Sequence, residues 1–306
     1  MIRLALISLC IALLSPVHAT PTPVDPAATP PMVYTYPPPE GGEDQRLTYY
    51  WSLLKSALEV TTPKWGAYAL APSPVLMNAD RSQVLLADSK TISLLVRTTS
   101  NERETLLRPV LIPLDKGLTG YRLFLIQKPT QAKLNAVRSL EDLRAFSIGQ
   151  GQNWVDTAIL RHAGLKVQAG ANYPSLFKML QGGRFELFSR GVNEISKEFQ
   201  VGQETNRELA IEQQLMLYYP LPRYFFFART AEGERLAQRV EEGLHLLIEN
   251  GQFDRQYKAF KHLVLADLQL SGRRLFRIAN PTLSPQTPLA HSEYWDTLAD
   301  ELKAPR

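Results

Sequence analysis

Thiol chemistry is nearly absent from this chain. Its single cysteine, Cys10, lies in an apolar stretch near the N-terminus, so the rest of the 306 residues contain no thiol. This absence excludes disulfide bonds, a cysteine nucleophile and a cysteine-ligated metal after that point. A domain of about 300 residues does not need disulfides, because it buries roughly three quarters of the surface that its unfolded chain exposes.

Long apolar runs, strong net charge and catalytic motifs are also missing. No later segment has the run of about 18 apolar residues that a membrane-spanning helix needs. The formal charge is only +4, and no lysine- and arginine-rich run marks a nucleic-acid surface. The five histidines include no His-x-x-x-His spacing, and the chain has no Gly-x-Ser-x-Gly turn and no P-loop. We therefore expect no metal, no cofactor and no nucleic-acid partner, and an enzyme is the less favoured class.

The first 19 residues have the three parts of a cleavable secretory signal. Arg3 supplies a positive charge, residues 4–14 are apolar apart from Ser8 and Cys10, and small or apolar residues precede a cut after Ala19. We predict cleavage there and export to the periplasm. Residues 20–31, rich in proline, alanine and threonine, are predicted to be a flexible leader.

Residues 146–194 show the clearest alternation of predicted strands and helices. The strand Phe146–Ile148 leads into the polar loop Gly149–Trp154, and a helix, a strand, a second helix and a third strand follow. Such an alternation builds a parallel sheet with helices packed on it, and the loops at the carboxyl ends of its strands form a ligand crevice. Asn153, with Asp156 three residues later, is predicted to cap the first of these helices.

Two segments broken by prolines each precede a buried apolar strand. Residues 106–120 lead into Tyr121–Ile126, and residues 218–223 lead into Tyr224–Ala228. Proline cannot donate to a sheet, so these segments are predicted to be extended passages rather than central strands. We place a crossing between two α/β lobes at each of them.

Four segments together carry a resemblance to a known family. They are Tyr34-Thr35-Tyr36-Pro37, the turn Thr98 to Arg103, the pair Leu140 to Leu143 and Leu176 to Phe185, and Leu246 to Phe253. In this order and spacing they resemble the periplasmic solute-binding proteins of the polar amino-acid type, the type 2 periplasmic binding proteins. The resemblance covers roughly residues 32–262.

The resemblance implies an α/β chain with a two-lobed type 2 periplasmic binding protein fold, two crossover strands and a C-terminal extension. Lobe one would consist of residues 32–115 and 225–265, and lobe two of residues 116–224. Residues 266–306 would form the extension. The prolines of the extension predict an extended course over the body, with a short helix at residues 291–303.

By this resemblance, Arg103 is the residue that would clamp a ligand carboxylate. Its planar fork can donate two parallel charge-assisted hydrogen bonds, which a lysine cannot reproduce. Thr98 would add a hydroxyl donor, and Thr99 lies in the same turn. The alternative is a surface arginine that pairs with Glu102 or Glu104.

The loop of the second lobe would supply Gln152, Asn153 and Trp154 to the cleft. The backbone N–H groups at a helix start attract anions, and the ring of Trp154 could form a wall of the site. The alternative for Trp154 is core packing. Tyr36 and Tyr219 lie at a strand end and a crossover, where such clefts form, and buried core tyrosines are the alternative for them.

The end of the third strand departs from the family pattern. The amino-acid binders usually place there an aspartate for the ligand ammonium, but this chain has Ser189-Arg190-Gly191, and the nearest acid is Glu194. Arg190 would suit an anionic or dicarboxylate ligand held between it and Arg103. The alternative is a salt bridge between Arg190 and Glu194, four residues later.

These observations predict an exported, monomeric solute-binding protein. It would bind a small carboxylate-bearing solute, an amino acid or an organic acid, in the interlobe cleft for an ABC-type transporter, with a membrane permease as its partner. Two alternatives stay open. One is a solute-sensing or docking module for a membrane receptor, and the other is an exported dehydratase-like enzyme with Glu194 or Glu102 as its base.

Overall fold

The computed structural model describes residues 30–39 and 47–303. The predicted signal peptide, and the predicted leader as far as residue 29, lie outside the described residues. From Pro31 onward the described chain belongs to one compact unit. None of its helices is both long and apolar enough to cross a membrane.

Strands and helices alternate along the described chain. The first elements are β1 (Met32–Tyr36), α1 (Thr48–Val60), α2 (Thr62–Trp65), β2 (Tyr68–Pro72), α3 (Ala79–Ala87), β3 (Leu94–Thr98), α4 (Asn101–Leu106), β4 (Arg108–Pro109), β5 (Tyr121–Gln127), α5 (Gln131–Leu134) and α6 (Leu140–Leu143). They are followed by β6 (Ser147–Gly151), α7 (Val155–His162), β7 (Lys166–Gly170), α8 (Tyr173–Gln181), β8 (Leu187–Gly191), α9 (Ile195–Thr205), β9 (Leu209–Ile211), β10 (Leu215–Tyr218), β11 (Arg223–Phe227), α10 (Ala231–Glu249), α11 (Gln252–Leu265) and β12 (Arg274–Arg277).

Lobe one, defined here by its two small sheets, contains β1 to β4 and β11. β1 pairs in parallel with β2, and β11 lies between β3 and β4, antiparallel to both. The helices α1 and α10 cover these strands, and their apolar faces form one core with β1, β3 and β11. β11 returns to this lobe from lobe two, so the polypeptide of lobe one is discontinuous.

Lobe two is built on a larger sheet with the strand order β12-β10-β5-β8-β6-β7, and β9 also pairs with β5. β5 runs antiparallel to β8, β9 and β10, whereas β6, β7 and β8 are mutually parallel and β12 is parallel to β10. The carboxyl ends of β6, β8 and β10 therefore lie at one edge of the sheet. That edge carries the loops in which the sequence predicted ligand contacts.

The sheet of lobe two is covered on both faces, as an α/β sheet requires. β5 is buried from Tyr121 to Ile126 and all of β8 is buried, including the polar residues Arg122, Ser189 and Arg190. Phe124 and Leu187 belong to the core on one face, and Leu123 and Phe188 to the core on the other. The predicted division into lobes after residues 115 and 224 stays a prediction, although β11 with Arg223 already lies in the sheet of lobe one.

The C-terminal extension differs from the sequence prediction. A short helix at residues 291–303 is wrong, because the segment contains only one 3-10 turn, Ser292–Tyr294. The Asp296 carboxylate accepts the backbone N–H of Leu298, whose φ of 50° is left-handed, and this bend stops any helix. The extension also contributes a strand, β12, which the sequence analysis did not predict.

Gly243 fixes the contact between α1 and α10. A Cβ atom at this position would lie 2.3 Å from the carbonyl oxygen of Ala57 in α1, a distance that forces the helices apart. We expect Gly243→Ala to lower the free energy of unfolding by about 1–3 kcal/mol through overpacking, measured by urea denaturation. Gln238→Ala, at an exposed position of the same helix, is the control. Equal stability of the two variants would contradict the close approach of the helices.

Candidate functional site

Arg103 lies at the end of lobe one where β3 gives way to α4. The hydroxyl of Ser100 accepts the backbone N–H of Arg103 and caps the helix, so the position of Arg103 on the first turn is fixed. Its Nε donates to the Oε1 atom of Gln83 at 2.8 Å, and its Nη1 donates to the carbonyl oxygen of Thr98. Both acceptors are neutral. Within the described residues no carboxylate lies within ion-pairing distance of this guanidinium.

The charge of Arg103 is held in an unfavourable environment. Burial is the largest influence and lowers the pKa of Arg103; the field of Glu102 opposes this shift, and that of Arg223 adds to it. A half-buried cation without a carboxylate partner gains free energy when an anion arrives, because the anion replaces the lost hydration. Arg103 therefore has the electrostatic character of an anion-binding residue.

Arg223, which the sequence analysis did not select, stands beside this turn. It opens β11 and pairs in register with Thr98 of β3. Its Nη2 lies 3.5 Å from the Oε1 atom of Glu194, and its guanidinium carbon lies 5.3 Å from the ring centre of Tyr50. Its Nε is buried and has no hydrogen-bond partner among the described residues. The signal in the sequence is an arginine that directly follows the proline-rich return crossover.

Asn153 links the two lobes rather than capping α7. Its Nδ2 donates to the Oδ2 atom of Asp80 in α3 at 2.9 Å. The predicted N-cap role of Asn153 is wrong, because Trp154 occupies that position without a side-chain hydrogen bond. Cross-lobe recognition by an exposed amide cannot be seen in a local sequence pattern.

Arg190 is buried in the interior of lobe two, where its side chain is only 4% exposed. Its Nε and Nη2 donate to the two carboxylate oxygens of Glu198, both at 2.5 Å, and Nη2 also lies 3.0 Å from Glu194. Burial opposes the charge, but the two carboxylates outweigh it and raise the pKa of Arg190 above its ordinary value. The ring of Trp154 stacks on this guanidinium at 4.8 Å. The salt bridge considered as an alternative is therefore present.

Thr99 and Tyr219 are fully buried, and each uses its hydroxyl within the protein. The hydroxyl of Thr99 donates to Glu104 at 2.5 Å, and that of Tyr219 donates to Asp156 at 2.5 Å. Asp156 also pairs with Arg122 at 3.1 Å, so the first turn of α7 carries a buried ion pair. The hydroxyls of Thr99 and Tyr219 are therefore both occupied by carboxylates of the protein in this structure.

Tyr36 and Gln152, the remaining predicted residues, make contacts within their own lobes. Tyr36 is half-buried and stacks on Trp51, with ring centres 4.3 Å apart. Gln152 is exposed, and its backbone N–H donates to the carbonyl oxygen of Gly170. The structure thus brings Arg103, Arg223 and Glu194 to one junction.

No group of three or more His, Cys, Asp or Glu side chains that could hold a metal ion occurs within residues 30–39 and 47–303. Two shallow cavities lie elsewhere in the molecule. One, of about 140 Å³, is lined by Ser196, Phe199, Gln200, Ile211 and Asp267. The other, of about 210 Å³, is lined by Leu265, Leu268, Gln269, Leu270, Ser271 and Glu301. Neither is lined by the junction residues, so the candidate site stays with Arg103.

Neither a family model nor a curated protein matches this sequence. Solved structures do match. A periplasmic binding protein of Salmonella typhimurium with high arginine specificity is 14% identical, with a TM-score of 0.52 over 74% of this chain and 98% of its own. An ancestral amino-acid-binding protein, a precursor of cyclohexadienyl dehydratase, is 13% identical with a TM-score of 0.52 over 75% of this chain and 95% of its own.

A third similar structure is an amino-acid ABC transporter substrate-binding protein of Streptococcus pneumoniae bound to L-arginine. It is 15% identical, with a TM-score of 0.51 over 76% of this chain and 95% of its own. At such low identity these similarities are evidence of fold alone. The chain has the two-lobed α/β fold of the type 2 periplasmic binding proteins, and this confirms the fold class predicted from the sequence.

The buried pair of Arg190 and Glu198 can be tested by unfolding. Glu198→Ala leaves a buried guanidinium with an incomplete set of carboxylates, and we expect a loss of about 3–5 kcal/mol in the free energy of unfolding. Glu198→Leu combined with Arg190→Met removes both charges and should lose much less. Glu204→Ala, at an exposed position of the same helix, is the control and should change little. A Glu198→Ala variant as stable as this control would show that the pair is not structural.

Proposed function

We propose that this protein is an exported solute-binding protein that holds a small carboxylate-bearing solute between its two lobes. The observation that carries the proposal is Arg103, a half-buried cation whose hydrogen-bond acceptors within residues 30–39 and 47–303, Gln83 and Thr98, are both neutral. The fold supports it, since the similar solved structures named above include amino-acid-binding proteins. Enzymatic turnover is not part of the proposal.

The geometry of Arg103 leaves donors for a solute. A guanidinium has five N–H groups, and the bonds to Gln83 and Thr98 use one on Nε and one on Nη1. The remaining N–H groups can meet both oxygens of a carboxylate. The bonds to Gln83 and Thr98 hold the plane of the guanidinium, so little side-chain entropy is lost when a solute binds.

Arg223 and Glu194 set the charge on the far side of the proposed site. Glu194 already lies 3.0 Å from Arg190 and 3.5 Å from Arg223, so a solute ammonium would have to share this carboxylate with two guanidinium groups. A second carboxylate on the solute could instead use the unpartnered Nε of Arg223. Within the proposed class, an organic acid with two carboxylates therefore fits better than a zwitterionic amino acid.

The proposed partner is the permease of an ABC-type transporter, because one similar structure is a substrate-binding protein of such a transporter. Export to the periplasm follows from the predicted signal peptide. In the C-terminal extension, β12 is part of the sheet of lobe two and Leu298 is fully buried. The extension is thus a component of the fold, and nothing about it favours a receptor over a permease.

Thermal unfolding with a panel of dicarboxylates, monocarboxylates and amino acids tests this function. A solute at one hundred times its Kd should stabilise the protein by about 2.7 kcal/mol. At an unfolding entropy of about 2.1 cal/mol/K per residue, that corresponds to a rise in Tm of about 5 °C for a domain of this size. We expect the largest shift with a dicarboxylate, and we expect the solute to be recovered unchanged after incubation.

Two substitutions of Arg103 make the test specific. Arg103→Ala should weaken binding by about tenfold or more, because it removes charge-assisted hydrogen bonds, and Arg103→Lys should restore only part of the affinity. Arg161→Ala, at an exposed position of α7, should bind like the native chain. If no carboxylate raises the Tm and no small molecule co-purifies with the protein, the proposed function is wrong. Chemical conversion of a panel compound would identify an enzyme instead.

A further inference from the structure

Residues 278–298, which we call the clasp, pass between the two lobes after β12. The clasp starts where Ile278 donates its backbone N–H to Tyr218, at the end of β10 in lobe two. It ends at Leu298, which is buried in a core of lobe two. Between these ends it contacts lobe one and both crossovers.

The first tie of the clasp is made by Asn280 and Thr282. Asn280 Nδ2 donates to the carbonyl oxygen of Pro220 in the return crossover at 2.8 Å. Asn280 Oδ1 accepts the backbone N–H of Thr282 at 2.9 Å and its hydroxyl at 2.7 Å. The turn fixed in this way places the carbonyl oxygen of Thr282 2.6 Å from the backbone nitrogen of Asn101, the first residue of α4 in lobe one.

The second tie is made by Asp296 at the first crossover. Its carboxylate accepts Lys261 Nζ and the hydroxyl of Tyr257, both at 2.7 Å and both from α11. Its backbone N–H donates to Lys116, and its carbonyl accepts the hydroxyl of Tyr121 at the start of β5. One residue thus joins α11, the first crossover and the central strand of lobe two.

Apolar contacts complete the second tie. The ring of Trp295 packs against Gly117, where a Cβ atom would lie 2.6 Å from it, and Nε1 of the indole donates to the carbonyl oxygen of Pro288. Tyr294 packs against the core of lobe one, whereas Leu298 lies in a core of lobe two. Neighbouring residues of the clasp are therefore anchored in different lobes.

We propose that the clasp holds the lobes in the arrangement seen here, in which Asn153 of lobe two bonds to Asp80 of lobe one, even when no solute is bound. An interlobe hinge must turn at the two crossovers, and the clasp bonds to both of them and to the lobes on either side. Opening would separate Thr282 from α4 and would break contacts around Asp296 that involve the charged Lys261. The device does not depend on the proposed solute, since each of its contacts lies within the chain.

Pulsed electron resonance distances on the full chain test the clasp without any solute. Spin labels at Val84→Cys in α3 and Ala158→Cys in α7, both exposed sites, would report the separation of the lobes in a Cys10→Ser background. The native clasp should give one narrow distance distribution. Asn280→Ala combined with Asp296→Ala should add a longer distance, with a rise of about tenfold or more in the ratio of long to short separations, as expected when charge-assisted hydrogen bonds are lost.

Asp300→Ala is the matched control, because Asp300 lies outside the clasp and its carboxylate accepts Lys303 Nζ of the extension itself. It should keep the narrow distribution. Asn280→Ala alone leaves Asp296 in place and should give an intermediate ratio of long to short separations. This single variant replaces the double variant in the test if the double variant does not fold. Two populations in the native chain, or a folded Asn280→Ala variant with an unchanged narrow distribution, would overturn the clasp. Neither result depends on whether a carboxylate binds to Arg103.

Discussion

The loss of water around arginine is the physical constraint on which this structure depends. Each buried guanidinium must find acceptors for its N–H groups and compensation for its charge. Arg190 finds both in Glu198. Arg239 is fully buried and donates to the carbonyl oxygens of Leu58 and Gly66, so neutral acceptors hold it at the end of α1. Arg103 alone of these three is half-exposed and keeps N–H groups for an outside partner.

The partners and the exposure of these three arginines distinguish a structural arginine from a candidate ligand-binding one, which the residue type alone does not. From the sequence, Arg190 had two open interpretations: a second clamp for the ligand of Arg103, or a salt bridge with Glu194. A side chain at the end of a strand can turn into the cleft or lie along the sheet, and Arg190 lies over Trp154 towards Glu198. Glu198 is eight residues further along the chain, beyond the range of a local charge-pairing rule.

The fold class could be predicted because local patterns determine most of it. The mostly apolar strand β5, and a glycine at a helix end such as Gly251, are local patterns that predict the same structure in any context. Asn153, Arg223 and the extension could not be predicted in the same way. Their partners are distant in sequence, as the bond from Asn153 to Asp80 illustrates. A residue whose role is set by the other lobe leaves no periodic signal.

The clasp also changes how binding between the lobes has to be understood. In a hinged protein, solute binding supplies the free energy of closure. The apparent Kd is then the intrinsic Kd of the closed form divided by the fraction of molecules that are closed without solute. If the clasp holds the lobes closed, that fraction is near one and the proposed site around Arg103 is already organised. The same arrangement slows entry, since a solute must pass between lobes joined through Asn153 and Asp80. The extension would thus favour a slow, pre-organised binding step over a fast hinge closure.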